Sequence, residues 1–205
     1  MKSKKIFVVG NATHYTNWIN NHEVVDNPEK ADILFFTGGE DVTPLLYGEE
    51  IGSYTHCNLD RDHRELLIFN KYPDKFKIGV CRGFQFLTVA SGGKMIQHVT
   101  GHTQTHYITD IFTNKRYLMT STHHQMAYPF DIEHELIAVS SENRSKVYLG
   151  GNDLNIKLPK YFAEPEIAYY PKTKSLGIQG HPEMFANNNP EVKDYLNGLI
   201  NKYLK

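Results

Sequence analysis

The chain has 205 residues, with 22 Lys and Arg against 23 Asp and Glu and a formal net charge of −1. That near-balance gives no electrostatic footprint for a nucleic-acid or membrane partner. The length supports one sizeable core and falls short of two ordinary domains, so residues 1–205 are expected to form a single domain. No run approaches the roughly 20 apolar residues of a membrane span, and Lys4-Lys5 leads straight into an apolar pattern without a signal-type cleavage site, which predicts a cytoplasmic location. The two cysteines, Cys57 and Cys81, are too few for a disulfide framework.

In chain order, short apolar runs bounded by turn signals recur at Ile6-Phe7-Val8-Val9-Gly10, at Ile33-Leu34-Phe35-Phe36 before Thr37-Gly38-Gly39, and at Ile78-Gly79-Val80 before Cys81. Continuous runs of this kind suit strands buried on both faces of a mostly parallel sheet. Between the second and third, Arg61 to Lys71 carries Leu66, Leu67 and Phe69 in a charged frame and predicts a crossover helix, completing a βαβ unit. Arg82 to Ala90 reads as the helix after the third strand, ended by Ser91-Gly92-Gly93. Beyond residue 107 come β-rich pieces at Arg116 to Thr120, Leu136 to Ser140 and Val147 to Leu149. Two strands, Glu166 to Tyr170 and Leu176 to Gln179, then flank a turn and end at Gly180-His181-Pro182-Glu183. The last helix has Asn189 as its cap, Pro190 in its first turn, and Val192, Tyr195, Leu196, Leu199, Ile200, Tyr203 and Leu204 at intervals of three and four.

Gly79-Val80-Cys81-Arg82-Gly83 has the form Gly-x-nucleophile-x-Gly between a predicted strand and a predicted helix. Glycines at those spacings permit a sharp turn in which neighbouring Cβ atoms would otherwise collide, and the helix N-terminus favours a thiolate at Cys81. A small residue buried at a strand end accounts for the cysteine equally well on this segment alone. In His181-Pro182-Glu183 the proline predicts an extended His181, which puts the His and Glu side chains on one side. Glu183 would then hold one ring nitrogen while the other exchanges a proton with Cys81. Thr37-Gly38-Gly39 leaves the second strand at the same edge. Its amides, with that of Arg82, could meet a developing oxyanion, or the segment is simply a tight turn.

The residues from Gly79 to Gln85, with His181-Pro182-Glu183, resemble the class I glutamine amidotransferase family. More narrowly, Gly38 to Glu49 (Gly-Gly-Glu-Asp-Val-Thr-Pro-Leu-Leu-Tyr-Gly-Glu) and Arg61-Asp62-His63-Arg64-Glu65 resemble its γ-glutamyl-γ-aminobutyrate hydrolase branch, the peptidase C26 group. The resemblance implies a flavodoxin-like three-layer α/β fold with a mostly parallel central sheet. It also implies a triad of Cys81, His181 and Glu183, and oxyanion donors at Gly39 and Arg82. Gly38, Gln85, His123, His124 and Gln125 would border a small-molecule γ-glutamyl substrate, cleaved either by a free-standing hydrolase or by a glutaminase subunit serving a separate synthetase partner. A catalytically silent binding module on the same scaffold is the contrasting reading. Thr88 departs from the family pattern, in which Asn often precedes the Val. No cofactor is implied. Although the chain has 11 histidines, no metal is expected. His98, His102 and His106 would align only on a helix, which Thr100-Gly101 and Thr103 to Thr105 disfavour, and neither a Cys pair nor a His-Glu-x-x-His motif accompanies them.

Overall fold

The first apolar run forms β1 (Lys4–Val9), and a short strand that the apolar pattern does not announce, β2 (His22–Val24), pairs with it in parallel. These elements belong to a computed structural model of the chain that describes residues 3–10 and 12–204; Met1, Lys2, Asn11 and Lys205 lie outside the described residues. The chain continues through β3 (Ile33–Phe36), α1 (Leu59–Lys71), β4 (Phe76–Val80) and α2 (Arg82–Ala90). Helix α1 starts two residues earlier than Arg61 because Asn58 caps it, its side chain accepting from the Arg61 amide at 3.1 Å.

Short strands follow: β5 (Lys94–Ile96), β6 (His98–Val99), β7 (His106–Asp110), β8 (Arg116–Met119), β9 (Met126–Tyr128), β10 (Glu135–Ser140) and β11 (Tyr148–Leu149). The β12 (Pro165–Tyr170) and β13 (Ser175–Ile178) pair turns at Pro171–Thr173, and α3 (Pro182–Phe185) and α4 (Pro190–Tyr203) close the chain. Asn189 caps α4 through the Val192 amide.

Among the described residues nine strands make one sheet in the order β2-β1-β3-β4-β13-β12-β10-β7-β8. The five from β2 to β13 run parallel and the rest are antiparallel. Alternate residues of the parallel strands pack on opposite faces. Ile6, Val8, Ile33, Phe35, Ile78 and Val80 meet Val192, Leu196 and Ile200 of α4. Val9, Leu34 and Phe36 meet Phe69 of α1 and Phe86 and Leu87 of α2. Helices therefore cover both faces, which is why these strands read as unbroken apolar runs. Each such side chain contributes about 1.5–3 kcal/mol by leaving water. Because β3, β4 and β13 are neighbours and parallel, their carboxyl ends open side by side at one edge.

Candidate active site

Cys81 leaves β4 at φ 54° and ψ −113°, a conformation that costs energy for any residue with a Cβ, and it caps α2. The strain is held by close packing on both sides. A Cβ at Gly79 would strike the backbone of Gly83, and one at Gly83 would strike the carbonyl of Phe36 on β3. The Cys81 amide donates to the Ile178 carbonyl of β13 at 2.8 Å, tying the turn to the strand that leads to His181. Cys81 is buried and sits at the N-terminus of α2, where the first amides of the helix have no partner within it.

His181 and Glu183 meet, though by a different route from the extended chain expected. His181 has φ −112° and ψ 79° and caps α3, so Glu183 sits in that helix's first turn instead of one strand repeat away. Proline at the first helical position allows this, since its missing N–H is not needed there. His181 Nδ1 lies 2.6 Å from Glu183 Oε1, and both side chains are buried. Burial opposes a proton on His181, but hydrogen bonding to Cys81 and to Glu183, with their negative charges, outweighs it and pushes the imidazole up to about 10. The nearby Tyr15, whose ring centroid is 6.3 Å from that of His181, is pushed up to about 12, first by burial and then by Glu183 and Cys81, and stays a neutral phenol.

Cys81 and His181 open on a cleft of about 230 Å³, bordered also by Gly39, Arg82, Gln85, His123, His124 and Gln125. Such a volume is below the ~300 Å³ at which pockets for drug-sized ligands begin, so an amino-acid-sized group fits it best. Gly39 reaches the cleft at φ 138°, a conformation that favours glycine. Gly38 does not line it; this residue faces a neighbouring depression with Tyr15 and Arg61, and a Cβ there would come within 2.6 Å of the Tyr15 hydroxyl. Gln85 Nε2 donates to the Gln125 carbonyl at 3.0 Å, and Gln125 Nε2 donates to Thr55 Oγ1 at 3.1 Å. Gln125 Oε1 is buried without a partner among the described residues. His124 Nε2 lies 3.2 Å from Asp41 Oδ1, a contact that raises the affinity of His124 for its proton.

Several contributors to the site are not marked by spacing in the sequence. Asp41 and Thr122 also border the cleft; Asp41 sits inside the Gly38-to-Glu49 motif, and Thr122 belongs to the Ser121-to-Gln125 stretch that the family resemblance places beside the substrate pocket. The Arg82 side chain points away from the cleft and pairs with Asp62 and Glu65 of α1, both buried. Arg61 Nε donates to Glu65 at 2.9 Å while its Nη2 donates to the Gly38 carbonyl at 2.9 Å. The glycine turn, α1 and the start of α2 are thereby one charged unit. Breaking such a buried pair costs about 3–5 kcal/mol. Thr88 donates to the Phe84 carbonyl at 2.9 Å and lies 2.6 Å from the buried Tyr170 hydroxyl, so its hydroxyl serves the packing of α2. Cys57 bridges to Asp41 through backbone pairing alone.

The histidines do not align on a helix. His98 stacks on Tyr54 with ring centroids 3.9 Å apart, while His102 and His106 lie with His123 in the interior.

The parallel strands, two helical layers and cysteine elbow define a class I glutamine amidotransferase-like, flavodoxin-like α/β protein. A glutamine amidotransferase of Thermotoga maritima superposes with a TM-score of 0.57 at 13% identity, over 98% of this chain and 86% of that one. PurLQS from the same organism gives a TM-score of 0.65 at 14% identity, over 100% of both chains. The chain belongs to the Peptidase C26 family, whose model matches residues 18–183. Among curated relatives, the glutamine amidotransferase-like protein YvdE of Lactococcus lactis is 32% identical over 136 residues, 55% of this chain and 57% of that protein. The chain thus matches little more than half the length of that relative. Among the described residues no helix is long and apolar enough to cross a membrane.

Proposed function

We propose that the protein hydrolyses γ-glutamyl amides through a thioester at Cys81. The observation that carries this reading is the strained Cys81 turn beside a hydrogen-bonded His181–Glu183 pair, at the mouth of an amino-acid-sized cleft. The thiolate of Cys81 attacks the γ-carbonyl carbon, and the amides of Gly39 and Arg82 receive the charge that moves onto oxygen. Imidazolium His181 then gives its proton to the departing amine or ammonia. Acylation removes the Cys81 charge and hydrogen bond that helped to hold that proton, so the affinity of His181 for it falls. Neutral His181 can next take a proton from water, whose oxygen displaces the thiolate and releases glutamate.

Substrate selectivity follows from the same cleft. The Asp41 carboxylate and the unpartnered Gln125 Oε1 are acceptors suited to an α-ammonium group, and Gln85 and His123 hold the backbone that presents Gln125. A glutaminase subunit that supplies ammonia to a separate synthetase would use the same residues. The full-length fold match to PurLQS favours keeping that version beside the free-standing hydrolase. The test is to incubate the purified protein with glutamine and with a panel of γ-glutamyl amines, following glutamate and amine release beside Cys81→Ala. Release that depends on Cys81 is expected; release unchanged by Cys81→Ala would overturn the mechanism. Turnover of glutamine only in the presence of a second protein would favour the subunit version.

A further inference from the structure

Behind the cleft, five chemistry-bearing side chains that the proposed reaction does not use as acids, bases or nucleophiles converge in the interior. His102, His106, His123, Glu164 and Glu166 are all at most 4% exposed. His102, His123 and Glu166 each direct one ligand-type atom into a common space, those atoms lying within 4.8 Å of one another. In a packed interior, polar atoms left without partners call for an explanation. Here His102 Nδ1, His123 Nε2 and Glu166 Oε2 are buried with no hydrogen-bond partner among the described residues.

The other polar atoms of the same side chains lie against neighbours. His123 Nδ1 donates to the Gln125 carbonyl at 2.7 Å, which leaves the lone pair on Nε2. His102 Nε2 lies 3.0 Å from Glu164 Oε2, within ion-pair distance but without hydrogen-bond geometry, and a proton on Nε2 leaves the lone pair on Nδ1. His106 Nε2 donates to Glu166 Oε1 at 2.8 Å, leaving Glu166 Oε2 free to coordinate. Glu164 is itself anchored by the amides of Arg144 and Ser145 and by the Tyr148 hydroxyl, each at 2.8 Å. An imidazole held by a carboxylate or carbonyl on one nitrogen and free on the other is the usual outer shell of a metal-bound histidine.

We propose that His102, His123 and Glu166 form a binding site for a divalent transition metal of the Zn²⁺ type. Two imidazoles and one carboxylate suit such an ion far better than Ca²⁺ or Mg²⁺, which take oxygen ligands. Its role is structural: it joins the segment carrying His123, which borders the cleft, to Glu166 on β12 and to the loop carrying His102. The thiol of Cys81 is not among its ligands.

Tag-free full-length protein, stripped with a chelator and dialysed, tests this. One Zn²⁺ bound per chain is expected by elemental analysis, with Co²⁺ giving the visible band of a low-coordinate nitrogen and oxygen site. Zn²⁺ at about 100 times its Kd should raise Tm by ~5–10 °C for a chain of this size. His102→Ala and Glu166→Gln should lose the ion, whereas His98→Ala, which alters a histidine outside the cluster, should keep it. Wild-type protein that binds no stoichiometric Zn²⁺ and shows neither the Co²⁺ band nor a Tm shift would overturn the proposal. Ion binding lost equally in His98→Ala would also overturn it, by placing the ion at the surface.

Discussion

At the scale of the residue, the candidate site depends on how firmly His181 holds its proton. Its proton affinity in the folded chain lies above the ordinary value of 6.5 and reaches about 10. The stability that this proton contributes is therefore complete below about pH 6.5 and is lost as pH rises through about 10. Activity that needs imidazolium to protonate a leaving amine should fall over the same alkaline range. Glu183→Gln tests the assignment because the amide can still accept from Nδ1 but carries no charge. It should lower kcat by ~10²–10⁴ and move the alkaline limb of the pH–rate profile to lower pH. A profile with kcat and limb unchanged would remove Glu183 from the mechanism. The His-x-Glu pairing was legible in the sequence. Its geometry was not, because a proline favours an extended residue before it and equally fits the first turn of a helix, as Pro182 does in α3.

At the scale of the element, the elbow is a close approach of three backbones. Gly83 in α2 lies against the Phe36 carbonyl of β3, and Gly79 in β4 lies against Gly83 itself. Alanine is the better helix former by about 1 kcal/mol, so propensity alone predicts that Gly83→Ala stabilises. The clash predicts the reverse, a net loss of about 1–3 kcal/mol seen as a lower urea midpoint. An unchanged or higher midpoint would mean that the helix can shift away from β3. Strands flanked by glycine and the last helix with its Asn189 cap could be read from periodicity and turn chemistry, since those signals are local; the Asn58 cap that sets the start of α1 was not. The charged unit of Arg61, Asp62, Glu65 and Arg82 could not. Nothing in their spacing says that the Arg82 side chain turns back to pair with Asp62 and Glu65 of α1.

At the scale of the whole molecule, the sheet order brings the site together. Cys81 and His181 are far apart in sequence, yet β4 and β13 are adjacent parallel strands, and β3 beside them carries the glycine turn. Such non-local pairings leave no trace in hydrophobic periodicity, and neither does the convergence of His102, His123 and Glu166 from separate segments. The family resemblance supplied what periodicity could not, by placing the two motifs on one known scaffold. The central claim is that Cys81 is the nucleophile of a γ-glutamyl cleft, and a glutamine-like electrophile followed by peptide mapping tests it most directly. One adduct is expected, on Cys81, slowed by excess glutamine or γ-glutamyl amine and strongly reduced in His181→Ala. Labelling of Cys57 at an equal rate, or labelling of Cys81 that neither substrate nor His181→Ala affects, would contradict it.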